Sequence, residues 1–430
     1  MTSHVGPSLP RGWTTPPVYA RYSVQLGKML DEKRIAGTHL APYLRNVDVQ
    51  WNHINTNDLP EMDFSAEDRE RFSLRSGDLL VCEGGEVGRT ALWDGRLSEC
   101  YFQKAIHRLR PITESDEPRF FRYFMQFAVH SGLFALSTAS TIQHLPAEKL
   151  RVVRYPSPPR SQQRAIADYL DRETARLDAL VAAKERVLKL LAEKRRALLT
   201  RAVARGLAPH VPLRDSGIPW LGEIPAHWSS TRLRFLGRFK GGAGFPHGEQ
   251  GLRNEDLPFF KVKDLSQSDQ SSVLTDTDNS ISYPTAEQLG AFVFPAGTIV
   301  FAKVGAALLL SRFRVLGSPG CIDNNMMGFM VNEALCDRDY ALTVMRLFNF
   351  AEVVNPGAVP SLNEEQIGDQ LVALPPLREQ RDICARLTTA TSQLDAVSSC
   401  TERTISLLKE RRSALIAAAV TGQIDADSTA

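Results

Sequence analysis

One long segment occurs twice in the chain, and this duplication restricts the possible folds more than any other feature of the sequence. Gln163 and Gln380 are separated by 217 residues. At the same offset PSPPRSQQRAIADYL, from Pro156, matches ALPPLREQRDICARL, from Ala373, and the match continues to EKRRALL and ERRSALI. An internal repeat of this kind indicates one structural module built twice. The sequence therefore predicts a pseudo-two-fold arrangement.

Weaker matches lie upstream of each copy and keep the same order. PRGW matches PAHW, PYLRNVDV matches PFFKVKDL, SGDLLV matches AGTIVF, and FQKAIHRLR matches IDNNMMGFM. The repeated module is therefore a variable domain followed by a helix.

Each duplicated segment has the start and stop signals of a helix. Pro158-Pro159 and Pro375-Pro376 stand where a fixed φ and a missing N–H are tolerated. Gly206 and Gly422 follow the last apolar positions, as a C-terminal cap requires. Between these signals lie about 45 residues without Gly or Pro, so each helix extends roughly 65 Å.

Leucines at seven-residue spacing predict that the two helices form a coiled coil. The predicted seam positions are Leu170, Leu177, Lys184, Leu191, Leu198, Leu387, Leu394, Thr401, Leu408 and Leu415. An antiparallel register that places Lys184 opposite Thr401 sets every leucine opposite a leucine. A shift by one heptad would oppose Lys184 to leucine, at a cost above about 1 kcal/mol. In the alternative interpretation, Lys184 extends to water and specifies no register.

The remaining segments predict a mixed α/β (α+β) fold. Short runs such as DLLVC, TALW, AFVF and TIVFAKV indicate strands, while RFFRYFMQFAVHSGLFAL and DYALTVMRLFNFAEVV indicate helices. We expect two recognition-type domains separated by a long antiparallel two-helix coiled coil. The predicted segments are a first domain at 1–155, a first helix at 156–206, a second domain at 207–372, a second helix at 373–422 and a tail at 423–430.

Loops of both domains carry side chains that suit DNA. Arg, Lys, Asn and Gln are the residue types that read base edges or hold phosphates. The candidates are Arg45, Asn46, Arg89, Gln103, Lys104, Thr141, Gln143, His144, Lys261, Lys263, Lys303, Asn324 and Asn325. The alternative for each is a loop side chain that is merely solvated. A net charge of +2 permits DNA binding without requiring it.

The composition contains no sign of a metal centre, a membrane segment or secretion. Six cysteines without C-x-x-C spacing suit reduced, packed thiols. Nine histidines are scattered without metal-ligand spacing. No run approaches the roughly 20 apolar residues of a membrane span, and no leader is recognisable at the start. We expect a cytoplasmic protein that holds no metal.

Catalytic motifs for DNA chemistry are also missing. NPGA and SPPR lack the aromatic residue that would stack on a flipped base. KGGAGFPHG follows no convincing strand, and EGGEVGRT lacks the lysine of a phosphate-binding loop. We therefore expect no catalysis and no cofactor on this chain.

Several of these segments resemble type I restriction-modification DNA specificity subunits, the HsdS family. They are PPLREQR with its partner PPRSQQR, LLKERRSALIAAAVTGQID from Leu407, and DSGIPWLGEIPAHW from Asp215. The resemblance implies two target-recognition domains that each read half of a bipartite site on double-stranded DNA. It also implies docking of two methyltransferase (modification) subunits, which supply the S-adenosylmethionine chemistry, and of restriction subunits. Candidate partner-binding residues are Gln163, Arg164, Glu379, Gln380 and Arg381. SQQR departs from the pattern because it lacks an acidic residue matching Glu379.

Two domains that differ in sequence predict a target with two different halves. Held by a rigid spacer, the half-sites would lie on one side of the duplex about one helical turn, roughly 34 Å, apart. Three alternatives remain open at this point. The chain could serve a restriction class in which one partner carries both methylation and cleavage. It could have methyltransferase or nuclease activity of its own, or it could be a coiled-coil protein without a nucleic-acid role.

Overall fold

The chain forms two compact units in the computed structural model, which describes residues 9–29, 37–134, 144–266, 272–354 and 359–424. The first unit comprises residues 1–186 and 401–430, and the second comprises residues 187–400. Each unit therefore joins one α/β domain to part of both long helices. The domain boundaries predicted from the sequence divide the chain into consecutive segments, unlike these spatial units, and they stay predictions.

The first unit contains two small sheets. Its elements are β1 (Tyr22–Leu26), β2 (Leu40–Leu44), β3 (Val49–Gln50), β4 (His53–Ile54), β5 (Glu61–Asp63), α1 (Ala66–Phe72), β6 (Leu79–Cys82), β7 (Thr90–Leu92), β8 (Tyr101–Phe102), β9 (Ile106–Pro111), α2 (Pro118–His130) and α3 (Ala147–Val152). One sheet has the antiparallel order β1-β9-β6-β7. In the other, β5-β2-β8, strands β2 and β8 are parallel. Strands β3 and β4 form a separate pair.

After the first long helix, α4 (Arg160–Arg205), the second unit repeats this plan with additions. Its elements are β10 (Leu213–Asp215), β11 (Glu223–Pro225), β12 (Ser229–Arg232), β13 (Gly237–Gly241), β14 (Leu257–Phe260), β15 (Val273–Leu274), β16 (Ser280–Ile281), α5 (Tyr283–Gln288), β17 (Ile299–Ala302), α6 (Ala306–Leu309), β18 (Phe313–Leu316), β19 (Cys321–Ile322), β20 (Met326–Val331), α7 (Arg338–Met345), α8 (Phe350–Val353), α9 (Glu364–Gly368), β21 (Leu371–Leu374) and the second long helix α10 (Leu377–Val420).

The two larger sheets of the first unit have counterparts in the second unit. The order β13-β20-β17-β18 repeats β1-β9-β6-β7, with β15 added at one edge, and β16-β14-β19 repeats β5-β2-β8 with the same parallel pair. Central strands β6 and β17 are buried at every position. Gly77 and Gly297, just before these strands, both have positive φ, of 94° and 86°. Because side chains disfavour that conformation, the glycines fix the same turn in both copies.

Apolar side chains from the sheets and helices form a separate core in each unit. In the first unit Phe121 and Phe124 of α2 pack with Tyr155 beside the β1-β9-β6-β7 sheet. In the second unit one large cluster joins the sheet, α7 and the ends of both long helices, including Val203 and Leu387. The aromatic side chains Phe120, Phe121, Tyr123 and Phe124 of α2 are therefore part of the core.

The long helices α4 and α10 have 46 and 44 residues, and their ends agree with the sequence signals. Each begins directly after its proline pair. Gly206 and Gly422 follow the C-terminal ends with φ of 64° and 74°, which is the left-handed conformation of a glycine cap.

Within the first unit, α4 and α10 pack antiparallel. Ile166, Ala167 and Leu170 near the start of α4 share a buried cluster with Ile416 and Val420 near the end of α10. Further along, Asp178 Oδ1 accepts a hydrogen bond from Arg412 Nε at 2.8 Å, and Lys409 Nζ lies 3.7 Å from Glu185. The residue number on α10 falls as the number on α4 rises, as an antiparallel pair requires.

The second unit contains a matching bridge between the same two helices. Arg195 of α4 is paired with Asp395 of α10. These residues lie 217 positions from Arg412 and Asp178, so the repeat places one Asp–Arg bridge in each unit with the helices exchanged. The antiparallel helix pair predicted from the sequence is confirmed.

The ten predicted seam positions are all buried or half-buried. Leu170 and Leu177 are 0% and 2% exposed, and Thr401 is 6% exposed. Lys184 is half-buried. The specific role of Lys184 and Thr401 in setting the register stays a prediction.

Gln163 and Gln380 attach each long helix to its own domain. Gln163 Oε1 accepts a hydrogen bond from the backbone N–H of Glu117 at 2.8 Å, and its Nε2 donates to the Pro158 carbonyl at 2.8 Å. Gln380 bonds in the same way to Asp337 N–H, at 2.7 Å, and to the Pro375 carbonyl, at 2.8 Å.

The prediction that these two glutamines bind a partner is wrong in this structure. Gln163 and Gln380 are 1% and 0% exposed, and each amide is engaged on both sides by its own unit. A buried amide must satisfy its donors and acceptors internally, which explains why the repeat retains glutamine at both positions. The repetition of glutamine at these two positions reflects buried packing of each helix on its domain and not a partner-binding surface.

Two other local predictions differ from the structure. AFVF forms no strand, and Phe294 makes only an isolated bridge to Gly320, because Pro295 and Gly297 follow at once and turn the chain. DYALTVMRLFNFAEVV forms two helices, α7 and α8, rather than one, with Asn349 preceding the second.

Replacing Gln380 with leucine should lower the free energy of unfolding by about 2–4 kcal/mol, because the Asp337 N–H and the Pro375 carbonyl lose their partner in a buried place. Urea denaturation measures the change. Gln393→Leu, the same replacement at an exposed position of α10, should cost less than about 0.5 kcal/mol. Equal losses in the two variants would contradict the attachment role.

Candidate nucleic-acid interface

The candidate DNA-binding residues of the first unit gather where two parallel strands end. Leu44 of β2 pairs with Phe102 of β8. Arg45 and Asn46 follow β2, while Gln103 and Lys104 follow β8, so the four side chains leave one edge of the sheet. Lys104 is exposed and Gln103 is half-buried. The structure thus brings together residues that are almost 60 positions apart in the sequence.

A buried aspartate orients Arg45. Asp48 Oδ2 accepts from Arg45 Nε at 2.9 Å and from the Arg45 backbone N–H at 2.8 Å, and Asp48 Oδ1 accepts from Nη2 at 2.9 Å. Asp48 is 1% exposed, whereas the Arg45 side chain is 41% exposed. A guanidinium held on one side keeps its remaining N–H groups available for a ligand.

Asn46, Arg89 and His144 lie around the loop that follows β6. Asn46 Nδ2 donates to the Gly84 carbonyl at 2.8 Å, and Arg89 Nη2 donates to the Asn46 carbonyl at 2.8 Å. A Cβ added at Gly84 would lie 3.4 Å from His144 Nδ1. Among the described residues, Asn46 Oδ1 and Arg89 Nε are buried without a hydrogen-bond partner. Thr141 and Gln143, also predicted here, lie outside the described residues.

The second unit presents a similar edge with different side chains. Phe260 of β14 pairs in parallel with Ile322 of β19, so Lys261 and Asn324-Asn325 follow the two strand ends. Lys261 N–H donates to the buried Asp264 Oδ2 at 2.7 Å, as Arg45 N–H does to Asp48. The Lys261 ammonium, however, donates to Gln250 Oε1 at 2.8 Å.

The remaining candidates of the second unit lie in separate positions along this side. Lys303 N–H donates to the Asn325 carbonyl at 2.8 Å, which places Lys303 beside Asn324 and Asn325. Lys263 Nζ bonds to Asp278 Oδ2 at 3.0 Å, and both side chains are more than half exposed. That carboxylate neutralises part of the charge that Lys263 could offer to a phosphate.

Asp48 and Asp264 are residues that the sequence reasoning missed. Both belong to the matched strings PYLRNVDV and PFFKVKDL, where they occupy the same place. A carboxylate that is repeated while its neighbours change is a signal for a fixed turn, and the sequence contained it.

The remaining candidate partner-binding residues differ in how their side chains are engaged. Arg164 and Arg381 are exposed, and Arg381 Nε lies 3.7 Å from Asp337 Oδ2. Glu379 Oε2 accepts from Trp228 Nε1 at 3.0 Å and lies 2.9 Å from His227 Nε2. In the first copy glycine stands at the place of His227, in PRGW against PAHW. The missing acidic residue of SQQR therefore coincides with the loss of one of its internal partners.

The described residues contain no cluster of His, Cys, Asp or Glu suited to a metal ion. Burial raises the pKa of Cys82 to about 11 and that of Cys100 to about 12, so these thiols stay protonated near neutral pH. No helix in the described part of the chain combines the length and apolar character needed to cross a membrane.

The comparisons with known proteins find similarity to type I restriction specificity proteins. Residues 27–190 match the model of the type I restriction modification DNA specificity domain. The chain is 22% identical to the StySPI specificity subunit of Salmonella potsdam over 97% of this chain and 90% of that protein. The EcoKI specificity subunit of Escherichia coli K12 gives the same identity and coverage.

Two solved structures share the fold. A chain from a study of complex assembly and conformational transition in the type I R-M system has a TM-score of 0.76 at 18% identity, covering 97% of this chain and 100% of that one. The HsdS subunit from Thermoanaerobacter tengcongensis has a TM-score of 0.52 at 19% identity, covering 97% and 99%. The domain model over residues 27–190 and the two relatives make the chain similar to type I restriction-modification DNA specificity subunits, and the two solved structures share its fold.

Proposed function

We propose that this chain is the subunit of a type I restriction-modification complex that recognises a bipartite, asymmetric DNA target. The observation that carries the proposal is the pair of matched sheet edges. One scaffold presents Arg45, Asn46, Gln103 and Lys104 in the first unit, and Lys261 with Asn324-Asn325 in the second. Different side chains on a repeated scaffold suit two different half-sites.

The chemistry of these side chains fits base reading. An arginine can donate two hydrogen bonds to guanine, and asparagine or glutamine can pair with adenine, each worth about 1–3 kcal/mol of discrimination. Two such contacts on one chain reinforce each other, because the second becomes intramolecular after the first has formed. Spacing between the half-sites then becomes part of the specificity.

Catalysis in this proposal belongs to other chains. The methyltransferase subunits bind S-adenosylmethionine, restriction subunits cut, and this chain positions them on DNA in the cytoplasm without a cofactor of its own. Tight binding of S-adenosylmethionine by the isolated chain, measured by isothermal titration, would favour the alternative of an activity of its own. The nearest alternative is that this chain is the specificity subunit of a restriction class in which one partner carries both methylation and cleavage.

Repeat-matched apolar residues on the long helices support docking of two identical partners. Leu180 and Leu407, in the first unit, are 43% and 57% exposed. Leu190 and Val397, in the second unit, are 62% and 49% exposed. Each residue of one pair lies 217 positions from a residue of the other. Exposed apolar side chains that recur in both units are suited to two copies of one partner.

Exchanging residues 1–155 for the first domain of another specificity subunit should replace one half of the target and leave the other half unchanged. Sequencing of methylated sites in cells that also express the methyltransferase subunit reads the result. Loss or change of both halves in a well-folded exchange variant would contradict independent reading.

Inserting seven residues after Lys184 and after Thr401 should change the spacer length that the target requires and leave each half-site intact, since seven helical residues add about 10 Å. Seven residues also preserve the phase of the seam. The same methylation assay measures spacer length. A variant that keeps the original spacer would count against the helices as a ruler.

Leu407→Asp should reduce the number of bound methyltransferase subunits from two to one, and Leu407→Asp with Leu190→Asp should abolish binding, because a charge would replace apolar contact at each surface. Light scattering after size-exclusion chromatography counts the subunits. Ile112→Asp, at a residue that is 57% exposed outside the helices, is the matched control. Two bound subunits in the double variant would refute these surfaces.

A further inference from the structure

The second unit contains a cavity of about 250 Å³ where α7 meets both long helices and β15. Three arginines line it: Arg195 from α4, and Arg338 and Arg346 from α7. Its other polar lining residues are Ser272, just before β15, Asp339, Thr343, Thr388 and Thr391. None of these residues belongs to the candidate DNA-binding or partner-binding surfaces.

The positive charge of this cavity is only partly balanced. Arg195 pairs with Asp395, and Arg338 lies 3.2 Å from Asp339. Arg346 forms no ion pair with a described residue. Its Nη2 donates to Ser272 Oγ at 2.9 Å, and that is the one identified hydrogen bond of the Arg346 guanidinium in the described chain. A guanidinium has five N–H groups, so most of the donors of Arg346 remain open to a ligand.

The surroundings of Arg346 disfavour its charge. Burial lowers the pKa of Arg346, and the nearby guanidiniums of Arg195 and Arg314 lower it further, while Asp339 and Asp395 act in the opposite direction. An anion in the cavity would relieve this repulsion. Ser272 Oγ accepts from Arg346 and so keeps its own hydroxyl hydrogen to donate.

The first copy of the repeat carries different side chains at the matching place. Glu117 and Asp337, which bond to the matched glutamines, lie 220 residues apart, and at this offset Tyr123 matches Thr343 and Gln126 matches Arg346. On the long helices Asp171 matches Thr388. In the first unit Asp171 Oδ1 accepts hydrogen bonds from Tyr123 Oη and Arg122 Nη2, each at 2.7 Å.

The second copy therefore replaces an internal carboxylate by a threonine and a neutral glutamine by an arginine. The Thr388 and Thr343 hydroxyls bond to carbonyls of their own helices, so neither replaces the lost carboxylate. The result is a cavity lined by three arginines in the second copy. The first copy has the neutral Gln126, which lines a cavity of about 290 Å³, and the carboxylate of Asp171 paired with Tyr123 and Arg122. Because only the second unit has this cationic cavity, the difference indicates a role that the first unit does not share.

We propose that this cavity binds a phosphate group through Arg346, Arg195 and Ser272. Arginine with a hydroxyl donor is a common combination for phosphate. The volume lies below the roughly 300–1,000 Å³ of pockets for drug-sized ligands, so the ligand is inorganic phosphate or the terminal group of a small phosphate monoester. Phosphate bound there links α7 to α4 and fastens the second domain to the helices.

Titration calorimetry of the full chain with inorganic phosphate, at constant ionic strength, tests the proposal. We expect saturable binding of one phosphate. Arg346→Gln, which introduces the residue of the first copy, should weaken the binding at least about tenfold, since it removes a charged donor. Arg196→Gln removes an equal charge from an exposed neighbour on α4 and should leave the affinity within about twofold. Circular dichroism confirms that the variants are folded, and Arg338→Gln provides a second loss of cavity charge.

Competition identifies the source of the phosphate. Glycerol phosphate should displace inorganic phosphate, whereas a short DNA duplex should not, because a duplex backbone cannot enter a cavity of this size. Absence of saturable binding, equal weakening by Arg346→Gln and Arg196→Gln, or displacement by the duplex alone would each overturn the proposal. None of these outcomes depends on whether the chain reads DNA.

Discussion

The antiparallel packing of α4 against α10 is the contact on which the rest of the structure depends. Because α4 begins in the first unit and ends in the second, while α10 runs the other way, the first unit is made from two separate pieces of chain, residues 1–186 and 401–430. The first unit contains the final turns of α10, where Ile416 and Val420 complete an apolar cluster with Phe120 and Leu170. Contacts between residues so far apart in sequence carry a loop-closure cost that slows folding.

Two kinds of polar contact make this packing specific. The Asp178–Arg412 and Asp395–Arg195 bridges occur once in each unit, and the buried amides of Gln163 and Gln380 tie each helix to the start of a domain helix. The bridges are partly exposed and contribute less than about 1 kcal/mol each. The amides contribute more, because their partners have no access to water. Apolar contact supplies most of the stability and the polar groups select the arrangement.

The repeat separates what is structural from what is variable. Asp48 and Asp264 hold the same turn, yet the side chains that leave that turn are arginine and asparagine in one copy and lysines in the other. Arg346 against Gln126 is a second difference, at the cavity rather than at the sheet edge. Positions that differ between the two copies of the repeat are therefore the ones at which two domains of one fold have different functions.

Much of the fold could be predicted from the sequence, because it depends on periodic and punctuating residues. Leucine spacing, paired prolines and terminal glycines fixed the helices within a few residues. The partner role of Gln163 and Gln380 was predicted wrongly, since a repeated polar residue looks the same whether it faces a partner or a buried backbone. AFVF failed as a strand because four apolar residues pack equally well in a loop. The bridges and the cavity depend on which helix faces align, and side-chain spacing alone does not determine that alignment.

A cross-linking measurement tests the antiparallel register most directly. In a Cys400→Ser background, which removes the exposed native thiol, cysteines at 178 and 412 should be joined within the chain by a short bis-maleimide in high yield. Cysteines at 178 and 405, one heptad away, should react poorly, because the second site lies about 10 Å further along the helix. Equal yields for the two pairs, or a higher yield for the shifted pair, would contradict the packing of α4 on α10.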